Sequence, residues 1–178
     1  MELWDLYDKD RIKTGKQMVR GQKIEKGFYR IVVNICIFNS KGEMLIQHRQ
    51  PFKEGWSNMW DLTAGGSAIS GDSSESAIER ETLEEIGYPL KLNGKRPSLT
   101  INFKEGFGDI YLVNIDLDIN NLKLQAEEVS EVKWASCDEI LKMIDNNEFI
   151  PYHKGLIELL FHMKDHETTR TRLDRNEK

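Results

Sequence analysis

The chain has 178 residues, which is the length of one typical domain of roughly 100–200 residues. Hydrophobic residues make up 39% and charged residues 31% of the sequence, the balance of a globular protein, and no stretch approaches the roughly 18 consecutive apolar residues of a membrane helix. The net charge of -5, from 25 Lys and Arg against 30 Asp and Glu, disfavours binding to duplex nucleic acid, which depends chiefly on Lys and Arg.

The N-terminal segment predicts a β-hairpin. Residues 3–7 have the pattern of a strand, residues 8–15 supply turn chemistry, and a return strand is expected near 16–20. The first ten residues lack the basic segment and the apolar core of a secretory signal. We therefore expect a cytoplasmic protein that does not enter a membrane.

Beyond the hairpin, predicted strands outnumber predicted helices. β-Branched and aromatic residues predict a buried strand over residues 28–38, and the Asn, Ser, Lys and Gly that follow predict a turn to its partner. The other expected elements are strands at 44–48, 60–64, 98–103, 109–116 and 129–134, a loop at 50–58, a hairpin loop at 105–108, and helices between Ser73 and Gly87, at 138–145 and at 156–165. Because the helices bracket the sheet in sequence, we expect a mixed sheet covered by helices.

The chain divides into three parts. We assign residues 1–27 to a hairpin extension, residues 28–166 to the main domain and residues 167–178 to a polar tail. The cysteines Cys36 and Cys137 lack a metal-ligand spacing, which favours reduced thiols over a metal site.

The most informative segment is the predicted helix that carries Arg80-Glu81-Thr82-Leu83-Glu84-Glu85. Glutamates at i, i+3 and i+4 emerge on one helix face, where like charges repel one another. Arg80 can neutralise part of this charge. Mg²⁺, which takes oxygen ligands and is often shared by carboxylates and a substrate phosphate, can neutralise the rest. Acidic helix faces are also commonly just solvated, so the spacing alone leaves that alternative open.

Glycines on both sides of this helix favour the metal site. Gly65 and Gly66 precede the helix and Gly87 follows it, so tight loops frame the carboxylates. Glycine also lets the backbone approach a metal or a phosphate closely. A metal held there would polarise a phosphoryl oxygen and activate a water, which suits cleavage of a phosphoanhydride.

The segment from Gly66 to Tyr88 resembles the Nudix box, G-x5-E-x7-R-E-U-x-E-E-x-G-U, in which U is a bulky aliphatic residue. The positions that match in identity and spacing are Gly66, Arg80, Glu81, Glu84, Glu85 and Gly87. Such agreement arises by chance less than about once in a million starting points. Asp72 replaces the first glutamate of the box, and Thr82 and Tyr88 replace its aliphatic residues.

The resemblance implies an α/β fold, a Nudix-type α/β/α sandwich with a mixed β-sheet, preceded here by the N-terminal β-hairpin. It implies Mg²⁺ or Mn²⁺ held by Glu81, Glu84, Glu85 and the backbone of Gly66, with Arg80 orienting the glutamates. The implied activity is hydrolysis of a diphosphate linkage in a small phosphoanhydride substrate, such as a nucleoside diphosphate linked to another moiety. Nudix domains are often dimers, so a homodimer is left open.

Residues outside the box supply further candidates. In many Nudix hydrolases a glutamate on the loop before the last strand completes the metal site or acts as general base, and Glu128 matches that place better than Glu131. Arg49 presents a planar fork that suits a diphosphate. Trp56 and Phe107, on predicted loops, can stack on a base or cover an apolar group of the substrate. The ordinary alternatives are a solvated carboxylate, a surface ion pair and packing residues.

The sequence around Arg30 and Trp56 is also similar to the Nudix branch that includes isopentenyl-diphosphate isomerase. That isomerase needs a cysteine and a metal-binding histidine before the box, where this chain has Thr63-Ala64-Gly65-Gly66-Ser67. It also needs histidine near the start of the first core strand, where this chain has Arg30 and Asn34. Hydrolysis is therefore favoured over isomerisation. A non-catalytic nucleotide-sensing module is a third alternative.

Overall fold

The computed structural model describes residues 2–165, so the predicted tail at 167–178 lies outside the described residues. Within this range the chain forms nine strands and three α-helices. The strands are β1 (Leu3–Tyr7), β2 (Lys13–Val19), β3 (Arg30–Phe38), β4 (Met44–Arg49), β5 (Trp60–Asp61), β6 (Ala64–Ser67), β7 (Leu99–Phe103), β8 (Gly106–Asn114) and β9 (Val129–Ala135). The helices are α1 (Ser74–Ile86), α2 (Cys137–Asp145) and α3 (Lys154–Met163). None of these helices has the length and apolarity needed to cross a membrane.

Strand β3 lies at the centre of the main sheet. The hydrogen-bonded order of the strands in this sheet is β5-β4-β3-β8-β7. In addition, β6 pairs with β3 and β9 pairs with β4. The β3–β8 pair is parallel over its whole length, from Arg30 opposite Gly106 to Phe38 opposite Asn114, whereas the other pairs are antiparallel. This confirms the predicted mixed sheet.

The two faces of β3 bury different helices, because successive strand residues point to opposite sides. Val33, Ile35 and Ile37 pack in one hydrophobic cluster with Ala77 and Ile78 of α1. On the other face, Cys36 and Phe38 pack in a second cluster whose helical members are Ile140, Met143, Ile157 and Leu160 of α2 and α3. The predicted α/β/α sandwich is confirmed.

Helix α1 begins and ends where the sequence predicts. The Ser73 hydroxyl accepts a hydrogen bond from the Ser76 amide at 3.0 Å and caps the helix. Gly87 ends it in the left-handed conformation (φ 70°), and its amide donates to the Leu83 carbonyl at 3.0 Å. A Cβ at Gly87 would also lie only 2.7 Å from Lys123. Both the left-handed backbone and this close contact therefore favour glycine here.

The hairpin of β1 and β2 packs against the main domain through charged as well as apolar contacts. Arg11 donates to both oxygens of Asp109, which is fully buried in β8. Asp5 accepts hydrogen bonds from the Ser70 hydroxyl at 2.9 Å and the Gly71 amide at 3.1 Å. The hairpin is therefore fixed to the loop that leads into α1 and also to the sheet.

Two predictions about glycine-containing segments are wrong. The strand expected at 60–64 is divided into β5 and β6, and Gly65 and Gly66 lie inside β6 instead of ending a strand. The segment expected to be a loop at 105–108 mostly belongs to β8, and Phe107 is a core residue, 7% exposed, whose ring lies 5.6 Å from that of Tyr29. A Cβ on Gly106 would lie 2.3 Å from the Arg30 carbonyl oxygen, so this glycine allows close strand pairing and does not mark a turn.

Candidate active site

Arg80 lies at the centre of a cluster of carboxylates. Its Nη1 donates to Glu81 at 2.9 Å and to Glu84 at 3.0 Å, and its Nη2 donates to Asp72 at 3.0 Å. Nη2 also reaches the carbonyl oxygen of Ser67 at 3.3 Å. Burial lowers the pKa of Arg80. The negative charges of Glu81 and Asp72 outweigh this effect and raise the pKa well above its usual value. Arg80 thus joins the loop before α1 to two of the predicted metal ligands, and Asp72 keeps its place in the cluster despite its shorter side chain.

The Glu81 carboxylate lies directly against Gly66. A Cβ on Gly66 would stand 2.3 Å from Glu81 Oε1, so a side chain at this position would displace the Glu81 carboxylate. Burial, followed by the charges of Glu84 and Glu2, raises the pKa of Glu81, while Arg80 opposes this shift. Because Gly66 has no side chain, the Glu81 carboxylate can lie directly against its backbone, the close approach that the sequence led us to expect.

Glu85 occupies a buried position between two strands. Its Oε2 accepts hydrogen bonds from Gln47 Nε2 and from the Gly65 amide, both at 3.0 Å, and the residue is only 4% exposed. Among residues 2–165 it forms no ion pair. Burial raises the pKa of Glu85 to about 8. Its carboxylate is therefore held in place by neutral donors and lacks a countercharge.

The donor set fits a hard divalent cation in its chemistry. The side chains offered are carboxylates, which are the ligands that Mg²⁺ prefers, and two of them have pKa values raised by burial. Across the described part of the chain, no three His, Cys, Asp or Glu side chains stand close enough together to share an ion as they are placed. Glu81 and Glu84 point to Arg80, whereas Glu85 points to Gly65. Binding would therefore require the carboxylates of Glu81 and Glu84 to turn from Arg80 toward the cation.

Glu128 precedes β9 and is tied down by Lys53. Its carboxylate forms an ion pair with the Lys53 ammonium group, and its carbonyl oxygen accepts from the Gln50 amide at 3.0 Å. The hydrogen bond that Arg20 donates to Glu2, and then the charges of Glu128 and Glu81, raise the pKa of Arg20. Glu128 and Glu81 are thus both within electrostatic reach of one guanidinium group. Glu131 lies further along β9, is mostly exposed, and its Oε1 lies 4.0 Å from His48 Nδ1.

The predicted substrate residues have different environments. Arg49 is largely buried at the end of β4, where Nη2 donates to the Gly55 carbonyl at 3.3 Å and Nη1 lies 3.7 Å from Asp61. Its buried Nε has no hydrogen-bond partner among residues 2–165. Trp56 lies on the predicted 50–58 loop, is 53% exposed and has a positive φ of 52°. Phe107, in contrast, is enclosed in the core, which removes it from the set of groups that can contact a substrate.

Sequence reasoning missed several residues that the structure brings to this site. Gln47 was the one with a signal in the sequence, because it is a polar residue that directly follows the apolar residues 44–46 in β4. Asp61 is partly buried, and burial raises its pKa, while the Tyr152 hydroxyl donates to it at 2.9 Å. The order of residues along the chain did not indicate that Glu2 and Arg20 of the hairpin lie near the box carboxylates.

The sequence matches the NUDIX domain family over residues 28–155. The chain belongs to the Nudix family. An uncharacterized Nudix hydrolase of Listeria monocytogenes is 42% identical over 168 residues, which cover 94% of this chain and 98% of that protein. Isopentenyl-diphosphate Delta-isomerase 2 of Photorhabdus laumondii is 27% identical over 153 residues, covering 81% of each chain. The crystal structure of a Deinococcus radiodurans protein has a TM-score of 0.70 at 24% identity and covers 90% of this chain and 98% of its own, which confirms the fold.

Membership of the family indicates the general type of activity. Nudix proteins are generally pyrophosphohydrolases that act on small phosphoanhydrides, and they typically use divalent metal ions. The resemblance stated from Gly66 to Tyr88 is thereby confirmed, and so is the similarity to a protein named as an isomerase.

Proposed function

We propose that this Nudix protein hydrolyses the diphosphate linkage of a nucleoside diphosphate-X or related substrate with a Mg²⁺- or Mn²⁺-activated water. The observation that carries the proposal is the placement of Glu85, a buried carboxylate held by Gln47 and the Gly65 amide without a countercharge. Burial raises the pKa of this carboxyl group to about 8, and a divalent cation bound to it would stabilise the ionised form. The burial of Glu81 against Gly66 supports the same conclusion.

The proposal gives each residue a role. Glu81, Glu84 and Glu85, with the Gly66 backbone, would hold the cation, and Arg80, which binds Glu81 and Glu84 through hydrogen bonds, would position them until they turn toward the cation. The cation, when bound, would polarise the phosphoryl oxygen and make water a stronger nucleophile.

Two groups outside the box would complete the reaction. Glu128, once released by Lys53, would take the proton from the attacking water, because a carboxylate that ligates metal is a weaker base. Arg49 would bind a phosphate of the substrate through Nε, the donor that has no hydrogen-bond partner among the described residues. Trp56 would cover the group attached to the diphosphate.

A screen for metal-dependent hydrolysis tests the proposal. Nucleoside triphosphates, nucleotide sugars, ADP-ribose, dinucleoside polyphosphates, coenzyme A and isoprenoid diphosphates are incubated with the protein and Mg²⁺ or Mn²⁺, and phosphate products are measured. Glu84→Gln should lose the activity found. Glu79→Gln is the matched control, since Glu79 lies on the same helix but accepts from the Leu92 amide. If no substrate is hydrolysed in a metal-dependent way, the protein is better described as a nucleotide-sensing module.

The second candidate is isomerisation of an isoprenoid diphosphate, favoured by the similarity to the Photorhabdus isomerase. We expect no such activity, because proton transfer to carbon needs a positioned acid and base, and the positions of the isomerase cysteine and histidines hold other residues. Incubation with isopentenyl diphosphate in D₂O should leave the carbon skeleton free of deuterium. Deuterium on carbon would establish the isomerase instead.

A further inference from the structure

Arg30 occupies an unusual position at the first residue of β3. Its guanidinium group lies 4.6 Å from the centre of the Trp4 ring and 5.9 Å from that of the Phe103 ring. Its Nη1 donates to the Ser67 hydroxyl, at the end of β6. The guanidinium group is therefore enclosed by the hairpin, by β7 and by the strand that carries the box glycine.

The charge of Arg30 is not neutralised by a carboxylate contact. Within residues 2–165 Arg30 forms no ion pair, although it is more than half buried. Burial lowers the pKa of Arg30, the nearby charge of Arg20 lowers it further, and Glu105 opposes these effects. A buried cation that faces a second cation is costly unless an anion compensates for it.

Arg20, just after β2, lies on the same side of the hairpin. Its Nη1 donates to Glu2 Oε2 at 2.8 Å, and the other oxygen of Glu2 accepts from the Trp4 indole at 2.8 Å. Trp4 is the ring on which Arg30 stacks. Among the described residues Glu2 is thus the carboxylate that binds Arg20, and no carboxylate binds Arg30.

These arginines border the box carboxylates. Ser67 follows Gly66, and its carbonyl oxygen accepts from Arg80 Nη2 at 3.3 Å while its hydroxyl accepts from Arg30. The charges of Glu2 and Arg20 both act on Glu81. The hairpin therefore contributes charged groups to one side of the candidate active site.

We propose that Arg20 and Arg30 form an anion subsite that binds a phosphate group of the substrate on the hairpin side of the box carboxylates. Guanidinium groups suit this task because they remain charged and donate in a fixed fork geometry to phosphate oxygens. Ser67 and the rings of Trp4 and Phe103 hold Arg30 in position before the ligand arrives. The identification of the anion with the substrate rests on the proposed function; the anion site itself does not.

Binding of inorganic pyrophosphate to metal-free protein tests the subsite without requiring activity. We expect calorimetry in chelator to give a dissociation constant that Arg20→Gln and Arg30→Gln each raise at least about tenfold, since a hydrogen bond to a charged group is lost. Arg30→Lys should weaken binding less than Arg30→Gln. Lys9→Gln is the matched control, because Lys9 lies at the hairpin tip and pairs only with Asp10. It should bind like the wild type.

A kinetic measurement separates substrate binding from a structural role. With a substrate from the screen, both glutamine variants should raise KM about tenfold with kcat changed less than threefold, while thermal unfolding shows that they remain folded. If Arg30→Gln does not fold, the mostly exposed Arg20 decides the question through Arg20→Gln.

Each result has a definite meaning. Equal pyrophosphate affinity in the wild type, Arg20→Gln and Arg30→Gln would show that the arginines only fix the hairpin, and absence of binding by the metal-free wild type at millimolar concentration would equally overturn the subsite. If binding depends on both arginines but the screen finds no hydrolysis, the subsite stands and the proposed hydrolase function fails. If hydrolysis is found but the arginine variants are silent, the function stands and the subsite fails.

Discussion

Glu84 and Glu85 are neighbours in the sequence but lie in opposite environments. Glu84 is half exposed and is held by Arg80, four residues earlier on the same helix. Glu85 is buried and is held by neutral donors from β4 and β6. The difference indicates two kinds of ligand: one whose position the fold determines before any cation arrives, and one that exchanges its arginine for the cation. The following predictions test this distinction, from the largest expected effect to the smallest.

The largest effect is expected for glutamine at either position. Glu85→Gln and Glu84→Gln should each remove nearly all metal-dependent hydrolysis, because the amide keeps the shape but loses the charge that binds the cation. In chelator, Glu85→Gln should not lower the melting temperature, since the amide oxygen still accepts from Gln47 and Gly65. A variant that keeps most of the wild-type rate at saturating Mg²⁺ would contradict its assignment as a ligand.

The second effect concerns the contact between Glu81 and Gly66. Gly66→Ala places a methyl group where the Glu81 carboxylate lies, so this carboxylate must move. A displacement of about 1 Å at a reacting centre can cost roughly 100-fold in rate, and we expect a loss of that order in kcat/KM. Gly155→Ala is the control, since a Cβ there meets no other atom within 4 Å. Wild-type activity in Gly66→Ala would mean that Glu81 is free to bind the cation from another position.

The smallest effect separates two glutamates on one segment. Glu128→Gln should lower kcat at least about tenfold with KM little changed, because a general base typically contributes roughly 100- to 10,000-fold. Glu131→Gln should change kcat much less, because Glu131 projects into solvent near His48. If the two variants behave alike, the base lies elsewhere and Glu81 is the next candidate. In that case the ion pair of Glu128 with Lys53 has a structural role only.

The sequence was sufficient to predict the helix of the box and the side of it that carries the carboxylates. The spacing of Glu81, Glu84 and Glu85 follows from the period of an α-helix, and Ser73 and Gly87 define its ends through local hydrogen bonds. The burial of β3 likewise follows from its β-branched and aromatic residues. These features depend on residues that are close together in the chain.

Features that depend on contacts between distant segments were not predictable. Nothing near Glu85 in the sequence indicates that Gln47 and Gly65 will bury it. The glycines on both sides of Phe107 are typical of a turn in the sequence. Only the parallel pairing of β8 with β3 shows that they let the two strand backbones approach closely. Arg20 comes close to the box carboxylates and to Arg30 at the start of β3 because the hairpin folds back onto the loop before α1.

Mn²⁺ binding, measured by calorimetry on wild type and Glu85→Gln after removal of metal by a chelator, tests the central claim most directly. The account predicts that the wild type binds Mn²⁺ and gains thermal stability from it, that Glu85→Gln loses both effects, and that Glu79→Gln behaves like the wild type. Equal Mn²⁺ affinity in wild type and Glu85→Gln, or no binding by the wild type, would contradict the assignment of the buried carboxylate as the fixed ligand of the site.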